Sequence, residues 1–454
     1  MTTDVDSTEE RVPSTLPVRQ VVRTWWPLAA SWLLMAAEGP AMSAAVARLA
    51  DPEIHLAAWG GIVWPLSMLI GSPIVMLLSA STALSKDWDS YVRVRRFMMR
   101  TSAILTALHA LIAFTPAYYV VAVHLIGAPA EIIEPARVGL MIMMPWTWSI
   151  AYRRFNQGVL IRFGHSRAVG LGTMIRLGTD VTVLAAGYLI GTIPGIVVAT
   201  SAIAAGVLSE AIYAGLRVRP VLRRQLKLAE SAAQPLTLRV FLQFYAPLAT
   251  TSLMNMLAQP LSSAAISRMP GALDSLATWS VVSSFIFLPR SLGYAFNEVV
   301  IALLDEPRAT RTLRRFAMVL VALTSLALLV VAATPLGAFW FARVSALKPR
   351  LAALASRGLW AALPLPALSV LQSWYQGTIV HSQRTRGIPE AVAAFLLVGG
   401  AVMSGGVIWG QVTGLYVGLV GLTVGVLAQT VWLWYRSRPA MRVTQARDEV
   451  LSTV

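Results

Sequence analysis

Twelve long apolar runs dominate this chain. They lie at about 25–49, 56–82, 97–125, 136–161, 167–190, 195–217, 240–268, 275–303, 316–342, 352–380, 388–409 and 414–435. A helix of about 20 apolar residues crosses the hydrocarbon core of a bilayer. Inside lipid the backbone must satisfy its own hydrogen bonds, so such runs fold as helices. The expected fold class is therefore an all-α polytopic membrane protein with twelve transmembrane helices. Composition agrees: 56% of the residues are hydrophobic and only 13% charged, against about a quarter charged in soluble domains.

The formal net charge of +16 is read with the membrane in mind. Basic residues gather in cytoplasmic loops, so nucleic acid is not an expected partner. Even-numbered loops carry Arg93, Arg95 and Arg96, then Arg162 and Arg167, Arg217 to Lys227, Arg311, Arg314 and Arg315, and Arg384 and Arg386. The odd loops 191–195 and 410–414 carry no basic residue, while 343–357 carries four. The balance places both termini in the cytoplasm and the chain in the inner (plasma) membrane. The N-terminal segment starts polar and acidic and lacks the pattern of a cleaved signal. With no cysteine and five histidines, neither a disulfide nor a thiolate metal site is expected.

The chain also matches itself. At an offset of 220, Pro40 lies over Pro260 and SAAVARL (43–49) over SAAISRM (263–269), which pairs Arg48 with Arg268. After one deletion the offset is 219. RRF (95–97) then meets RRF (314–316), Pro145 meets Pro364, NQG (156–158) meets YQG (375–377), and RVRP (217–220) meets RSRP (436–439). The organisation expected is an N-terminal tail 1–24, a first lobe 25–217, a linker 218–239, a second lobe 240–436 and a C-terminal tail 437–454. Six spans per lobe give two parallel repeats related by an axis along the membrane normal, with the substrate path between them.

Six plus six spans, the pairs Gln157-Gly158 and Gln376-Gly377 ending the fourth span of each lobe, and a Pro-kinked first span resemble the multidrug/oligosaccharidyl-lipid/polysaccharide (MOP) flippase superfamily, in its MATE-like form. Within it WWPL (25–28), LHALIAFTPAYYVV (108–121), ISR (266–268) and GYAFNE (293–298) resemble the progressive ankylosis branch. The resemblance implies V-shaped bundles and alternating access. It also implies a proton or sodium site made by acidic residues on the first and fifth spans, here Glu38 and Asp180. The branch implies substrates such as pyrophosphate, citrate or nucleotides.

Ionised side chains deep in a span cost about 2.5–3.5 kcal/mol each on insertion scales, so those present need a reason. Glu38, Asp180, Arg176, His109 and Arg290 all fall inside apolar runs. Glu38 and Asp180 are the expected cation-coupling pair; alternatively Asp180 pairs with Arg176 four residues away and Glu38 bonds a hydroxyl. Pro40 directly follows Glu38-Gly39 and breaks the helix ladder there, so Pro40 and Pro260 are expected hinges. Arg290, Arg176 and His109 are candidate substrate contacts. Glu298 is a possible partner for Arg290, and His109 a possible packing residue. Arg48 and Arg268 either gate the cleft mouth or snorkel to headgroups; Arg153 and Arg154 are read as snorkelling. The second lobe has Ala258 opposite Glu38 and Ile70 stands opposite Arg290, so both charges are asymmetric. Glu210 and Gln429 correspond between lobes without an assigned role.

An anion transporter is thus the leading function, acting as a monomer on a small-molecule or ion substrate with no cofactor beyond a bound sodium ion or proton. A proton- or sodium-coupled exporter of organic cations and a lipid-linked oligosaccharide flippase are the alternatives. A membrane enzyme of the prenyltransferase type needs paired acidic clusters for metal and diphosphate. Asp87 with Asp89, and Asp305 with Glu306, lack such partners, and no P-loop occurs. The chain is not expected to be an enzyme.

Overall fold

The computed structural model describes residues 16–230, 236–382 and 386–453. Residues 1–15 of the expected tail, 231–235 of the linker and the loop residue Arg384 lie outside them. The described chain is helical throughout. The first half comprises α1 (Val18–Val46), α2 (Pro52–Leu84), α3 (Trp88–Phe114), α4 (Ala130–Arg162), α5 (Ser166–Ile190) and α6 (Gly195–Arg224). The second comprises α7 (Leu238–Ser267), α8 (Ala272–Leu303), α9 (Ala309–Ala333), α10 (Pro349–Ala362 and Leu365–His381, bent by 40°), α11 (Gly387–Trp409) and α12 (Gly414–Thr453).

Among the described residues, eight helices are long and apolar enough to cross a membrane, and the bent α10 makes nine. Helices α1, α4 and α7 have the length, at 29, 33 and 30 residues, but not the apolarity. Each carries two prolines, α1 carries the part-buried Glu38 and α4 the buried Arg153. Helix α4 is buried along about half of its length, whereas most of α1 and α7 is exposed or part-buried. Helix ends differ from the apolar runs in a consistent way. Helix α1 begins seven residues before the run, α6 continues through Arg224 into the expected linker, and α12 extends through the expected tail. Polar residues at a span end cost nothing to the helix, so hydropathy underestimates its length.

Small residues set how the halves meet. Helix α1 lies along α8, with Gly39 so close to Ser284 that a Cβ would sit 2.8 Å from its Cβ. The Trp25 indole donates to the Leu292 carbonyl at 3.1 Å. Helix α2 lies along α7, where Ser252 donates to the Ser72 carbonyl at 2.8 Å and the Tyr245 hydroxyl to the Pro73 carbonyl. Proline 73 leaves the Leu69 carbonyl without its helical donor, and the Ser72 hydroxyl fills that place at 2.7 Å. The first helix of each half thus packs on the other half, giving a two-fold pattern about the bundle centre.

Two π-helical turns, Val120–Ile126 and Trp340–Val344, occupy equivalent places between the third and fourth helices of each half. They lie on the face away from the chain termini, called here the far face.

Candidate functional site

Helix α5 touches the rest of the first half along one stripe: Ala168, Gly172, Arg176, Asp180, Leu184 and Gly187 are its buried residues. The spacing of three and four residues puts them on one side of the helix. The glycines let α6 approach, and the charges enter the space so made. A Cβ on Gly206 of α6 would fall 1.7 Å from Asp180 Oδ1, so only glycine leaves room for that carboxyl.

Around this contact four helices share one polar network. Arg176 Nη1 of α5 lies 2.8 Å from Glu38 Oε2 of α1, and its Nε 3.4 Å from Glu210 Oε2 of α6. Arg153 of α4 pairs with the same Glu210 oxygen. Gln157, one turn further along α4, donates to Glu210 Oε1 at 2.8 Å, and Thr173 donates to it at 3.4 Å. Glu210 is the hub, and its side chain is 1% exposed. Its oxygens accept from three neighbours, which is what a buried carboxylate requires.

Asp180 is the exception. It is 2% exposed, and among the described residues neither carboxylate oxygen has a hydrogen-bond partner. Arg176, one turn away on the same helix, is turned towards Glu38 and Glu210 instead. The structure therefore brings Glu38, Arg176 and Asp180 into one neighbourhood, with Arg176 paired to Glu38 and one helical turn from Asp180. Among the described residues neither an Asp180–Arg176 pair nor a hydroxyl partner for Glu38 forms.

The second half shows what this place is like without charge. Arg153, Arg176, Asp180, Gly206 and Glu210 correspond at the offset of 219 to Gln372, Phe395, Gly399, Gly425 and Gln429. There Gln372 donates to Gln429 at 3.1 Å and to the Val426 carbonyl at 3.3 Å. The ion pair that joins the fourth helix to the sixth is replaced by an amide pair. Where Glu38 and Asp180 would stand, Ala258 and Gly399 line a small apolar recess with Phe395 and Met403. The same packing problem is solved with neutral side chains, so the fold alone does not demand the charges of the first half.

Arg290 lies near the middle of the 32-residue α8, just after Pro289. Its Nε donates to Ser369 of α10 at 2.9 Å, and its guanidinium lies 5.6 Å from the Tyr294 ring centroid. Tyr294 in turn meets Trp32 of α1 at 5.8 Å. Among the described residues no carboxylate pairs with Arg290, and Glu298 is exposed rather than joined to it. His109 is placed elsewhere. It is fully buried between α3 and α4, with Nδ1 and Thr147 2.9 Å apart and Nε2 3.0 Å from the Leu140 carbonyl. The carbonyl can only accept, so Nε2 carries the ring proton and Nδ1 accepts from Thr147. Leu328 is the equivalent residue of the second half. His109→Leu is expected to lower stability by about 1–3 kcal/mol through the unmet partners and to leave transport unchanged, checked by thermal melting beside a flux assay.

Arg48 and Arg268 reach the far-face turns of the opposite halves. Pro40 lines a recess of about 270 Å³ between α1 and α8. Pro260 lies within α7 at the matching place. Among the described residues no three His, Cys, Asp or Glu side chains are grouped as metal ligands.

The arrangement of two six-helix halves about a shared axis is the fold of MATE-like transporters of the MOP superfamily. No protein-family profile and no curated protein matches the sequence. Among solved structures, the chain resembles an inward-facing multidrug resistance MATE family transporter with a TM-score of 0.70 at 14% identity, covering 93% of this chain and 99% of that one. An outward-facing MATE family transporter gives 0.60 at 15% identity, over 95% and 97%. The lipid II flippase MurJ in an inward closed conformation gives 0.69 at 14% identity, over 94% and 91%.

Proposed function

We propose that this chain is a secondary active transporter of the plasma membrane that exports a small organic or inorganic anion by alternating access of its two halves. Both termini then face the cytoplasm, and the far face is the outer one. The likeness to MATE family transporters and to MurJ supports the transport class. The observation that carries the anion reading is Arg290, a guanidinium half-buried in mid-span with no carboxylate partner among the described residues. A fixed cation in low dielectric is costly unless an anion completes it, and the planar fork of Arg suits carboxylate or phosphate. Citrate, pyrophosphate and nucleotides have that chemistry, which agrees with the resemblance to the progressive ankylosis branch.

Glu38 and Asp180 carry the coupling cation in this reading. Asp180, buried without a partner, is best satisfied by a proton. Arg176 then stays with Glu38 and ties α1 to α5.

The test is flux into proteoliposomes with panels of anions, organic cations and a lipid-linked sugar. Arg290→Ala is expected to weaken anion transport roughly 10- to 100-fold, the value of one charge-assisted contact of about 1.5–3 kcal/mol. Undiminished anion flux in Arg290→Ala removes the assignment. A wild-type response to organic cations alone favours a MATE-type drug exporter, and a response to the lipid-linked sugar favours a flippase, the reading that the MurJ likeness supports.

A further inference from the structure

The far ends of the two halves are fastened by a matched pair of arginines. At the end of α1, Arg48 Nη1 donates to the Val344 carbonyl at 3.0 Å and to Ala44 of its own helix at 2.7 Å; Nη2 donates to the Arg343 carbonyl at 2.9 Å. At the end of α7, Arg268 Nη1 donates to Ile126 and Ala264, both at 2.7 Å. Its Nη2 donates to Leu125 at 2.8 Å and His124 at 3.0 Å. Each guanidinium therefore joins the last turn of its own helix to a π-helical turn of the other half. The acceptors are carbonyls at helix ends, which have no donor within their own helix.

The turn that ends at Gly127 is shaped for this contact. Gly127 follows Ile126 with φ of +71°, a left-handed conformation that favours glycine. A Cβ there would lie 3.3 Å from Arg268 Cζ, so the missing side chain also makes room for the guanidinium. Beside Arg48, Lys348 of the second half and Glu53 of the first add an ion pair at 2.6 Å across the same seam. Directly inward of Arg48 lies the apolar recess lined by Ala37, Pro40, Ala41 and Ala44 of α1, with Leu288, Trp340 and Val344 opposite. Val344 thus both closes the recess and takes the hydrogen bond from Arg48.

We infer that Arg48 and Arg268 are the two bolts of an outer lock, each holding one flank of the far mouth shut. This rests on the alternating-access reading and deepens it: outward opening must break both sets of bonds. The fork is essential, because one planar group must reach carbonyls on two elements at once. A lysine ammonium in the same place keeps the charge without the fixed geometry. Opened, both side chains reach water or headgroups at little cost, so the lock sets the balance of two conformations without trapping either.

The chain has no cysteine, so single reporters are clean. Ala41→Cys and Leu261→Cys stand seven residues inward of Arg48 and Arg268 on the same helices, and both native residues are exposed. Full-length protein in sealed vesicles is treated with a membrane-impermeant thiol reagent from the far side. Combining Arg48→Gln with Arg268→Gln is expected to raise labelling at both reporters at least ~10-fold, the scale of a modest population shift. Arg48→Lys with Arg268→Lys, which keeps charge and stem, is expected to give a smaller rise, about 3-fold, and carries the test if the Gln pair does not fold. Wild-type labelling rates in the folded variants overturn the lock. The readout needs no substrate: faster labelling in a protein that moves no solute sustains the lock and sinks the transport reading alone, and unchanged labelling beside intact transport does the reverse.

Discussion

Glu210→Gln is expected to be among the most damaging single substitutions in the chain, lowering stability by about 3–5 kcal/mol. The change is isosteric, so no cavity opens. The loss is electrostatic: Arg153 loses its carboxylate while remaining buried, its side chain only 9% exposed, and Arg176 keeps Glu38 alone. The informative partner is the double variant Arg153→Gln with Glu210→Gln. It writes into the first half the amide pair that Gln372 and Gln429 already form in the second. Replacing both members of a buried pair is often neutral where breaking one is severe. The double variant is therefore expected to melt near wild type in detergent, while Glu210→Gln melts far below it. Transport should fail in both. A double variant that folds and still transports normally would show that the charges of the first half serve packing after all.

That comparison was written in the sequence, although its meaning was not. The repeat already aligned Glu210 with Gln429, and the same offset aligns Arg153 with Gln372. What the linear chain hides is which helices are neighbours. Arg153 reads as a snorkelling residue because it lies towards the inner end of the fourth apolar run. The helix runs to Arg162, and Arg153 lies more than two turns inside it, facing α6. Spans, their pairing in two halves, and the placement of Glu38, Arg176 and Asp180 in one lobe follow from periodicity and cost in lipid, which are local properties. The direction in which Arg176 turns is not local, since Asp180, Glu38 and Glu210 compete for it. Helix-end arginines pose the same difficulty. Position alone fits both headgroups and a gate for Arg48 and Arg268, and the carbonyls of the opposing half that they meet cannot be read from the linear chain. Trp25, at the edge of the first apolar run, is likewise placed by distant residues: its indole donates to the Leu292 carbonyl and its ring meets Phe316 at 5.5 Å.

Asp180→Asn is expected to separate coupling from folding. Asparagine has nearly the volume of a protonated aspartate and no charge, so it fits the space that Gly206 leaves. Stability should stay equal or rise, because a group buried without a partner is no longer asked to ionise. Flux driven by an imposed pH gradient should fall at least ~10-fold, since no proton can be exchanged at that position; the loss corresponds to about 1.4 kcal/mol or more. The reason lies in Arg176. In this structure Arg176 pairs with Glu38 and Glu210. When Asp180 gives up its proton, a carboxylate one turn away on the same helix becomes a third claimant, and the bond to Glu38 is the one that crosses to α1. In the proposed coupling, loss of that bond would free the Pro40-bearing helix from α5 as the proton leaves. Glu38→Gln should therefore have the opposite character to Asp180→Asn: it weakens the tie between α1 and α5 whatever the state of Asp180. In reconstituted vesicles Glu38→Gln is expected to exchange substrate without regard to the pH gradient, and Asp180→Asn to lose the gradient-driven component while keeping its melting temperature. Wild-type gradient dependence in Asp180→Asn would remove the proton from this site.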